Sequence, residues 1–324
     1  MARAIRIHAN GGPEVLKLES IQVGKPGRGQ VRIRQTAVGL NYIDVYVRTG
    51  LYPASLPSGL GMEAAGVVSQ VGPGVKGFAE GDRVAYVHSQ PGAYADDRVM
   101  PADRLVKVPD AVSDREAAAV MLKGLTAWFL LRRAYRVRKG DPVVIYAAAG
   151  GVGIIAVQWA RHLGADVIAV TGTGEKAELA RQHGAQHTIL LGRGDLAARV
   201  REITGGKGVP VVYDSIGKDT FLASLDCLQP RGLMVTYGNA SGPVPPFSPL
   251  ELSRRGSLFL TRPTLFHYIA SRAELARGAA ELFGVMASGA VKVRIGQTYP
   301  LEDVAQAHRE LEARRTTGST VLIP

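Results

Sequence analysis

The sequence predicts a two-domain α/β protein in which a doubly wound parallel sheet follows an antiparallel β-barrel domain. The length of 324 residues suits two hydrophobic cores better than one. The first 120 or so residues alternate β-branched and polar side chains between Gly/Pro turns, whereas from about Ala117 strand-like and helix-like segments alternate. The first pattern is typical of a twisted antiparallel sheet, and the second pattern is typical of a parallel sheet with helices between its strands.

The barrel-like part is indicated by four short alternating segments. They read "ARAIRIHANGGPE", "QVRIRQTAVGLN", "AAGVVSQVGPGV" and "GDRVAYV". The turns "VGPGVKG" and "EGDRV" separate strands of this kind. The segment "EAAAVMLKGLTAWFLLRR" then has apolar residues at helical spacing and marks the change of texture.

Six strands with helices between them follow, as the parallel sheet of a dinucleotide-binding fold requires. The predicted strands are "PVVIYAA", "DVIAVTG", "HTILL", "VPVVYDSIG", "GLMVTYG" and "SLFLTRP". The first intervening helix covers Gly151 to Leu163 with Gly164 as its cap, and a later one runs from about Ser271 to Ser288. The tail is long enough to return to the first domain. We therefore assign residues 1–122 and 265–324 to the barrel-like domain, and residues 123–264 to the parallel sheet.

Composition excludes several classes of protein. Hydrophobic residues at 46% and charged residues at 21% are those of a folded globule, and no apolar run approaches the roughly 18 residues of a membrane span. With a strand-like start, this predicts a cytoplasmic protein without a membrane partner. The single cysteine, Cys227, excludes an internal disulfide and is expected to be a buried hydrophobe.

The net charge of +11 raises the question of a nucleic-acid partner. The basic residues are dispersed, however, and the densest cluster, "RRAYRVRKGD", lies between a predicted helix and a predicted strand as a solvated connection. This argues against nucleic acid. A basic surface also attracts a polyanionic cofactor.

The stretch "YAAAGGVG", residues 146–153, departs slightly from the G-x-G-x-x-G fingerprint. It has Ala148 at the first position, Gly150 at the second, Gly153 at the third and Gly151 as an extra glycine. The second glycine lets a pyrophosphate reach the backbone, and the third lets the helix pack closely on the strand. A β-branched run precedes the stretch and an amphipathic helix follows it, which favours a nucleotide site over a simple tight turn.

The end of the next strand bears on which dinucleotide is bound. NAD-binding enzymes usually place Asp or Glu there, whereas this chain has Thr171, Gly172 and Thr173, with Lys176 soon after. A lysine beside hydroxyl groups suits the 2′-phosphate of NADP. Glu175 is the dissenting residue, and we interpret it as a charge in the first turn of the following helix.

These features resemble the medium-chain dehydrogenase/reductase superfamily, whose barrel domain is GroES-like. Its alcohol dehydrogenases hold catalytic zinc with a cysteine in a "G-x-C-x-x-D" stretch and a histidine in a "G-H-E-x-x-G" stretch. This chain reads "GLNYID" and "GMEAAG", with Asn41 and Met62 at those positions. An amide and a thioether do not replace thiolate and imidazole as zinc ligands, so we expect no metal.

Nine stretches in order, from "HANGGPEVL" to "TGSTVLIP" and including those above, are similar to the zinc-free quinone oxidoreductases, the zeta-crystallin-like group. The resemblance covers essentially the whole chain. It implies NADPH-dependent reduction of quinones or related conjugated carbonyl acceptors in a cleft between the domains. It also implies a homodimer, which we expect to pair through an edge strand such as "SLFLTRP". The alternatives left open are a reductase of α,β-unsaturated ketones or aldehydes, and a non-catalytic NADPH-sensing or RNA-binding protein.

The resemblance also implies roles for particular residues. Asn41, Tyr46 and Tyr52 would orient the acceptor as the catalytic set. The residues expected to contact the cofactor are Asn41, Asp44, Lys123, Thr126, Ala148, Gly150, Gly151, Val152, Gly172, Lys176, Asn239 and Arg314. Arg315 could take the place of Arg314. One departure is Leu191, which stands where related enzymes often place a tyrosine beside the 2′-phosphate.

Overall fold

A computed structural model describes all 324 residues and divides them into two compact units. Unit 1 comprises residues 1–123, 269–283 and 293–324, and unit 2 comprises residues 124–268 and 284–292. The first division lies one residue beyond the boundary predicted at residue 122, and the second lies four residues beyond the one predicted at residue 264.

Unit 1 contains two sheets whose strands are mostly antiparallel. A three-stranded sheet has the order β2-β1-β4, and a seven-stranded sheet has the order β15-β16-β3-β5-β6-β8 with β7 also paired to β3. The pair β15 and β16 is parallel. The strands of this unit are β1 (Ala2–Ile7), β2 (Lys17–Ile21), β3 (Gln30–Leu40), β4 (Ser58–Gly59), β5 (Glu63–Val71), β6 (Arg83–Val87), β7 (Asp97–Pro101), β8 (Leu105–Lys107), β15 (Ile295–Pro300) and β16 (Ser319–Ile323).

Unit 2 contains one six-stranded parallel sheet. Its order, β11-β10-β9-β12-β13-β14, is that of a doubly wound dinucleotide-binding fold and confirms the predicted fold class. Chain order reverses between β9 and β12, so the carboxyl ends of these strands form the crevice where such folds bind ligands. The strands of this unit are β9 (Pro142–Tyr146), β10 (Asp166–Thr171), β11 (His187–Leu190), β12 (Val209–Asp214), β13 (Leu228–Thr236) and β14 (Phe259–Thr261).

The helices begin and end at the residues that their sequence signals favour. Gly50 and Gly164 follow their helices with φ of 83° and 84°, a left-handed conformation that glycine adopts without a steric penalty. The helices are α1 (Tyr42–Thr49), α2 (Asp114–Phe129), α3 (Gly151–His162), α4 (Gly174–Gln182), α5 (Leu196–Ile203), α6 (Phe221–Asp226), α7 (Leu250–Arg254), α8 (Leu265–Tyr268), α9 (Arg272–Ala287) and α10 (Val304–Glu312). A π-helical turn, Leu130–Ala134, follows α2.

One predicted assignment needs correction. Residues 284–292 belong with the parallel sheet, not with the barrel-like domain as the tail prediction had it. The side chain of Gln158 on α3 donates to the carbonyl of Lys292 at 3.1 Å and accepts from its amide at 2.9 Å. These two bonds fix the segment to unit 2, and no local sequence pattern signals them.

The core of unit 2 is the apolar layer on which the helices pack. Val144, Ile168 and Val212 have no exposed surface, and Cys227 is fully buried with its thiol 3.1 Å from the carbonyl of Ala223. Burial raises the pKa of the Cys227 thiol to about 12, so it stays protonated, as expected of a small hydrophobe. None of the helices combines the length and the apolar character needed to cross a membrane.

Candidate nucleotide-binding and reduction site

The turn between β9 and α3 has the geometry that its glycines predict. A Cβ atom on Gly153 would lie 2.2 Å from the carbonyl oxygen of Ala147, a distance that only a residue without a side chain can accept. Gly150 is the N-cap of α3, and a Cβ there would lie 3.2 Å from the same oxygen. The third glycine therefore serves helix–strand packing, while the second leaves the approach to the turn open.

The first turn of α3 offers backbone donors to an anion. The N-cap Gly150 has no side chain to cap the helix, and Gly151 and Val152 are only partly buried. The first amides of a helix have no intrahelical acceptor, and the helix dipole adds positive potential at this end. Ala148 is buried and donates its amide to Val170. The turn thus fits the pyrophosphate of a dinucleotide.

The carboxyl end of β10 is followed by residues that suit a phosphorylated ribose. Gly172 is exposed, and a Cβ there would meet nothing within 4 Å. Thr173 caps α4 and accepts the amide of Lys176 at 3.3 Å, which places Lys176 in the first turn. The amide of Leu191 donates to the carbonyl of Thr171 at 2.8 Å, so Leu191 stands beside this end of the strand.

A third element at the same edge of the sheet is the loop after β13. The carboxamide of Asn239, with its oxygen and nitrogen assigned to suit their neighbours, donates to the carbonyl of Gly238 at 2.9 Å and accepts from Arg262 at 3.2 Å. Arg262 also donates to the carbonyl of Thr236 at 3.2 Å. Sequence reasoning missed Arg262, although an arginine directly after the strand "SLFLT" is a signal for a charge at the carboxyl edge.

Unit 1 brings together three tyrosines, two of which the sequence singled out. The rings of Tyr46 and Tyr52 have centroids 5.2 Å apart, and those of Tyr42 and Tyr46 lie 5.5 Å apart. The amide of Tyr52 donates to the carbonyl of Tyr46 at 2.9 Å, which ties the loop after α1 to the helix. The result is an aromatic cluster with phenolic hydroxyls, suited to a planar apolar acceptor that carries carbonyl groups.

The side chain of Asn41 was expected to donate a hydrogen bond to a carbonyl group of the acceptor, but it is hydrogen-bonded within the protein. It is the N-cap of α1, and its carboxamide donates to Glu63 at 2.7 Å. Lys123 donates to the same carboxylate oxygen at 2.8 Å, and the amide of Leu122 bonds the other oxygen. Because a buried carboxylate needs such donors, the amide group of Asn41 is committed to Glu63. Thr126, also predicted in the site, is a buried residue of unit 2.

Asp44, which the sequence predicts as a cofactor contact, lies in a fully buried environment. Its side chain has no exposed surface, and Oδ2 accepts from the amide of Asn41 at 2.9 Å and from the hydroxyl of Tyr94 at 2.7 Å. Its Oδ1 atom is buried without a hydrogen-bond partner. Burial raises the pKa of Asp44 to about 7, against the opposing hydrogen bonds. Tyr94 lay outside the sequence prediction, because it lies 50 residues along the chain from Asp44.

Arg314 and Arg315 are distinguished by their neighbours. Arg315 makes a two-pronged ion pair with Glu310, at 2.6 and 2.9 Å. Arg314 follows α10 with φ of 59°, and its charge acts on Tyr42, whose pKa is raised chiefly by burial. The guanidinium of Arg315 is therefore engaged by Glu310 in this structure.

Zinc does not fit the residues present. The two positions that carry zinc ligands in the related alcohol dehydrogenases hold the committed amide of Asn41 and the buried thioether of Met62. No group of three or more His, Cys, Asp or Glu side chains could hold a metal ion. A cavity of about 650 Å³ in unit 1, lined by residues such as Phe78, Lys107 and Phe283, includes none of the predicted site residues.

The chain matches two family models. One, described as an alcohol dehydrogenase GroES-like domain, covers residues 27–110, and the other, described as a zinc-binding dehydrogenase, covers residues 151–283. A quinone oxidoreductase of Pseudomonas aeruginosa is 52% identical over the full length of both chains. A 2-haloacrylate reductase of a Burkholderia species is 49% identical over 100% of this chain and 99% of its own.

Solved structures show the same similarity. The crystal structure of Escherichia coli quinone oxidoreductase complexed with NADPH is 49% identical, with a TM-score of 0.98 over 100% of both chains. The GroES-like unit, the parallel sheet and this full-length identity define a medium-chain dehydrogenase/reductase. The chain belongs to that family, within its quinone oxidoreductase group.

Proposed function

We propose that the chain transfers reducing equivalents from NADPH to quinones or related conjugated carbonyl compounds without a metal. The observation that carries the proposal is the carboxyl edge of the parallel sheet. There the glycine turn, the Gly172–Lys176 segment and Asn239 follow three strands of one dinucleotide-binding fold. The full-length identity to quinone oxidoreductases supports this reading.

The residues present fit NADPH in separate places. We assign the pyrophosphate to the amides of Gly150, Gly151 and Val152 beside Ala148, and the 2′-phosphate to Lys176 next to Gly172. Asn239, held by Arg262, would contact the nicotinamide ribose. The remaining contacts that we propose are Asn41, Asp44, Lys123, Thr126 and Arg314. When bound, NADPH supplies the hydride.

The chain's own contribution to the acceptor is position. Tyr46 and Tyr52 offer aromatic faces on which a planar quinone can stack, and hydroxyls that can donate to its carbonyl groups. We propose that Asn41 acts on the acceptor indirectly, by helping to hold Glu63 and Lys123 in place, since the Asn41 carboxamide donates to the same Glu63 carboxylate oxygen as Lys123. A quinone is electron-poor, so hydride transfer to it needs no Lewis acid.

The test is NADPH oxidation against a panel of quinones, conjugated ketones and aldehydes, simple aldehydes and alcohols, with and without a strong zinc chelator. We expect turnover of quinones that the chelator does not change. Loss of activity with chelator and its return with zinc would overturn the metal-free assignment. No acceptor-dependent oxidation, together with steeply salt-dependent binding of RNA, would favour a non-catalytic protein.

A second candidate function is reduction of a conjugated carbon–carbon double bond. The observation that favours it is the 2-haloacrylate reductase at 49% identity. Such a reaction places hydride on one carbon and a proton on the neighbouring carbon, whereas reduction of a quinone ends with a proton on oxygen. The ratio of kcat/KM for a 2-haloacrylate to that for a quinone separates the two.

We also propose that two chains pair through β14 as a homodimer. β14 is the last strand of the parallel sheet, and its Phe259 is 61% exposed. Exposed sheet edges tend to be paired or covered.

A cytoplasmic setting suits the single buried thiol, because such a chain needs no disulfide for stability.

A further inference from the structure

A chain of directed hydrogen bonds ends at Asp44. Arg48 donates to Nδ1 of His308 at 2.9 Å, and because a guanidinium has no acceptor, the proton of the neutral imidazole lies on Nε2. Nε2 lies 3.2 Å from the hydroxyl oxygen of Tyr94 and donates to it, so the Tyr94 hydroxyl donates in turn to Oδ2 of Asp44. All four side chains are at most 1% exposed.

The direction of these bonds decides where Asp44 can hold a proton. Oδ2 already accepts from Tyr94 and from the amide of Asn41, so a proton on this carboxyl lies on Oδ1. Oδ1 is buried and has no partner in the protein. Buried polar atoms of this kind are satisfied by an ordered water or a ligand in native proteins.

The ionic neighbours of Asp44 also favour its neutral form. Glu63 pairs with Lys123 at 2.8 Å, and Arg48 pairs with Glu312 at 2.8 Å. Each buried cation therefore has its own carboxylate, and Asp44 is the carboxyl left without one. Glu63 raises the pKa of Asp44 further, whereas Lys123 lowers it, and burial outweighs both.

His308 does not compete with Asp44 for a proton. Burial and the charge of Arg48 lower the pKa of His308 to about 3. His308 thus remains neutral through the physiological range and acts as a fixed donor to Tyr94. Arg48 cannot give up a proton. The hydrogen bonds from Arg48 through His308 and Tyr94 therefore orient Asp44 and do not conduct protons to it from Glu312.

We propose that Asp44 is the acid of the reaction: its Oδ1–H supplies, through one bound water, the proton that completes reduction of the acceptor, with Tyr94 and His308 as positioning residues. The inference rests on the proposed quinone reductase function. Hydride carries both electrons to the quinone. The O–H bond of Asp44 breaks, an O–H bond forms on the reduced quinone oxygen, and the carboxylate regains a proton from solvent after the product leaves.

The test compares Asp44→Asn with Asp97→Asn, a matched control in which Asp97 pairs with Arg32 at 3.1 Å outside this chain of residues. We expect wild-type kcat on a quinone to fall tenfold per pH unit above about pH 7. In Asp44→Asn, kcat at saturating NADPH should fall about 100-fold and lose this inflection. Asp97→Asn should keep the wild-type profile.

Tyr94→Phe tests the positioning role separately. Removing a hydrogen bond to the ionised carboxyl raises its pKa, so the inflection should move to higher pH instead of disappearing. A purely structural role would lower kcat at every pH without moving the inflection.

A readout without turnover uses the infrared band of protonated carboxyl groups in the ligand-free protein. A band that disappears as the pH passes about 7 should be present in wild type and Asp97→Asn and absent in Asp44→Asn. Its absence from wild type would overturn the inference. An inactive wild type would overturn the proposed function itself, whereas an active wild type whose Asp44→Asn variant keeps the rate or the inflection would overturn only the role of Asp44.

Discussion

Lys176 is the residue on which the proposed preference for NADPH over NADH depends. It lies in the first turn of α4, beside the end of β10, where Thr171, Gly172 and Thr173 stand in place of an acidic residue and Glu175 lies in the first turn of the helix. A charge-assisted contact with a 2′-phosphate is worth roughly 1.5 to 3 kcal/mol, or about 10- to 150-fold in affinity. Lys176→Ala should therefore raise the KM for NADPH at least about tenfold and that for NADH less than about twofold.

Specificity constants for both cofactors check this prediction, with Arg181→Ala as the control. Arg181 lies in the last turn of α4 and pairs with Glu178. Leu191 supports the opposite expectation, since it stands beside Thr171 where a tyrosine would flank the phosphate. If the wild type uses both cofactors equally, or if Lys176→Ala weakens both alike, the lysine does not select NADPH.

The two glycines of the turn should respond differently to substitution. Gly150 has φ of −84°, which any residue adopts, and a Cβ there would meet the Ala147 carbonyl oxygen at 3.2 Å, so Gly150→Val should fold after a small local shift and lose NADPH binding, because the added side chain stands at the approach to the amides. At Gly153 a Cβ would overlap the carbonyl of Ala147, so Gly153→Ala should be destabilised by about 1 to 3 kcal/mol. Fluorescence titration with NADPH and thermal unfolding measure the two effects. Unchanged affinity in Gly150→Val would remove the turn from the cofactor site.

Residues in local motifs were predictable, and residues that meet across the chain were not. Gly150 and Gly153 lie in one turn, where spacing alone carries the physical meaning. Tyr94 and His308 are 214 residues apart and neither lies in a motif, so no periodicity signals their contact. The amide of Asn41 was predicted to face the acceptor because only the family position was known, and its bond to Glu63 depends on packing.

At the scale of elements, α1 and α10 are joined by buried titratable groups with opposite effects on stability. Asp44 keeps its proton in the folded state from its ordinary pKa of 3.8 up to about 7, so its contribution to stability falls as pH rises through that range. His308, whose pKa falls from 6.5 to about 3, binds a proton only when unfolded between those values, so its contribution rises with pH. Between about pH 4 and 6.5 the two offset each other.

Removing either group should leave the pH dependence of stability that the other group contributes. Relative to wild type, the stability of Asp44→Asn should rise with pH by up to about 1.4 kcal/mol per pH unit in that window, and that of His308→Gln should fall by a similar slope. Because a chain of two units need not unfold in one step, hydrogen exchange of the α1 amides is the suitable measurement. Profiles of both variants parallel to wild type would contradict the assigned protonation states.

The predicted elements agree with the structure wherever a segment is long enough to show a period. The six parallel strands and α3, α4 and α9 were all visible in the sequence. The short helices α7 and α8 were not, because four or five residues cannot show a period of 3.6. The segment "SLFLTRP" was predicted as a strand, and only Phe259–Thr261 pairs with β13.

At the scale of the whole molecule, the basic residues behind the net charge of +11 are dispersed, and many of them form ion pairs. Arginines on many elements are bonded to nearby carboxylates, such as Arg83 to Asp114 and Arg255 to Asp226. Such surface pairs add little stability, and basic residues dispersed along the sequence do not form the clustered stretch that is typical of nucleic-acid binding. The excess positive charge is suited to attracting NADPH by long-range electrostatics.

The last prediction concerns assembly through β14. Phe259 is the exposed apolar side chain of this edge strand, and a lysine at a sheet edge opposes pairing with a second copy. Phe259→Lys should convert a dimer to a monomer at micromolar concentration, measured as molar mass by light scattering. Leu222→Lys is the matched control, because Leu222 is a 51% exposed apolar residue on α6 and should leave the dimer intact. A monomeric wild type, or a Phe259→Lys variant that remains a dimer, would mean that β14 is not the interface, and equal dissociation of both variants would point to a general effect of added charge.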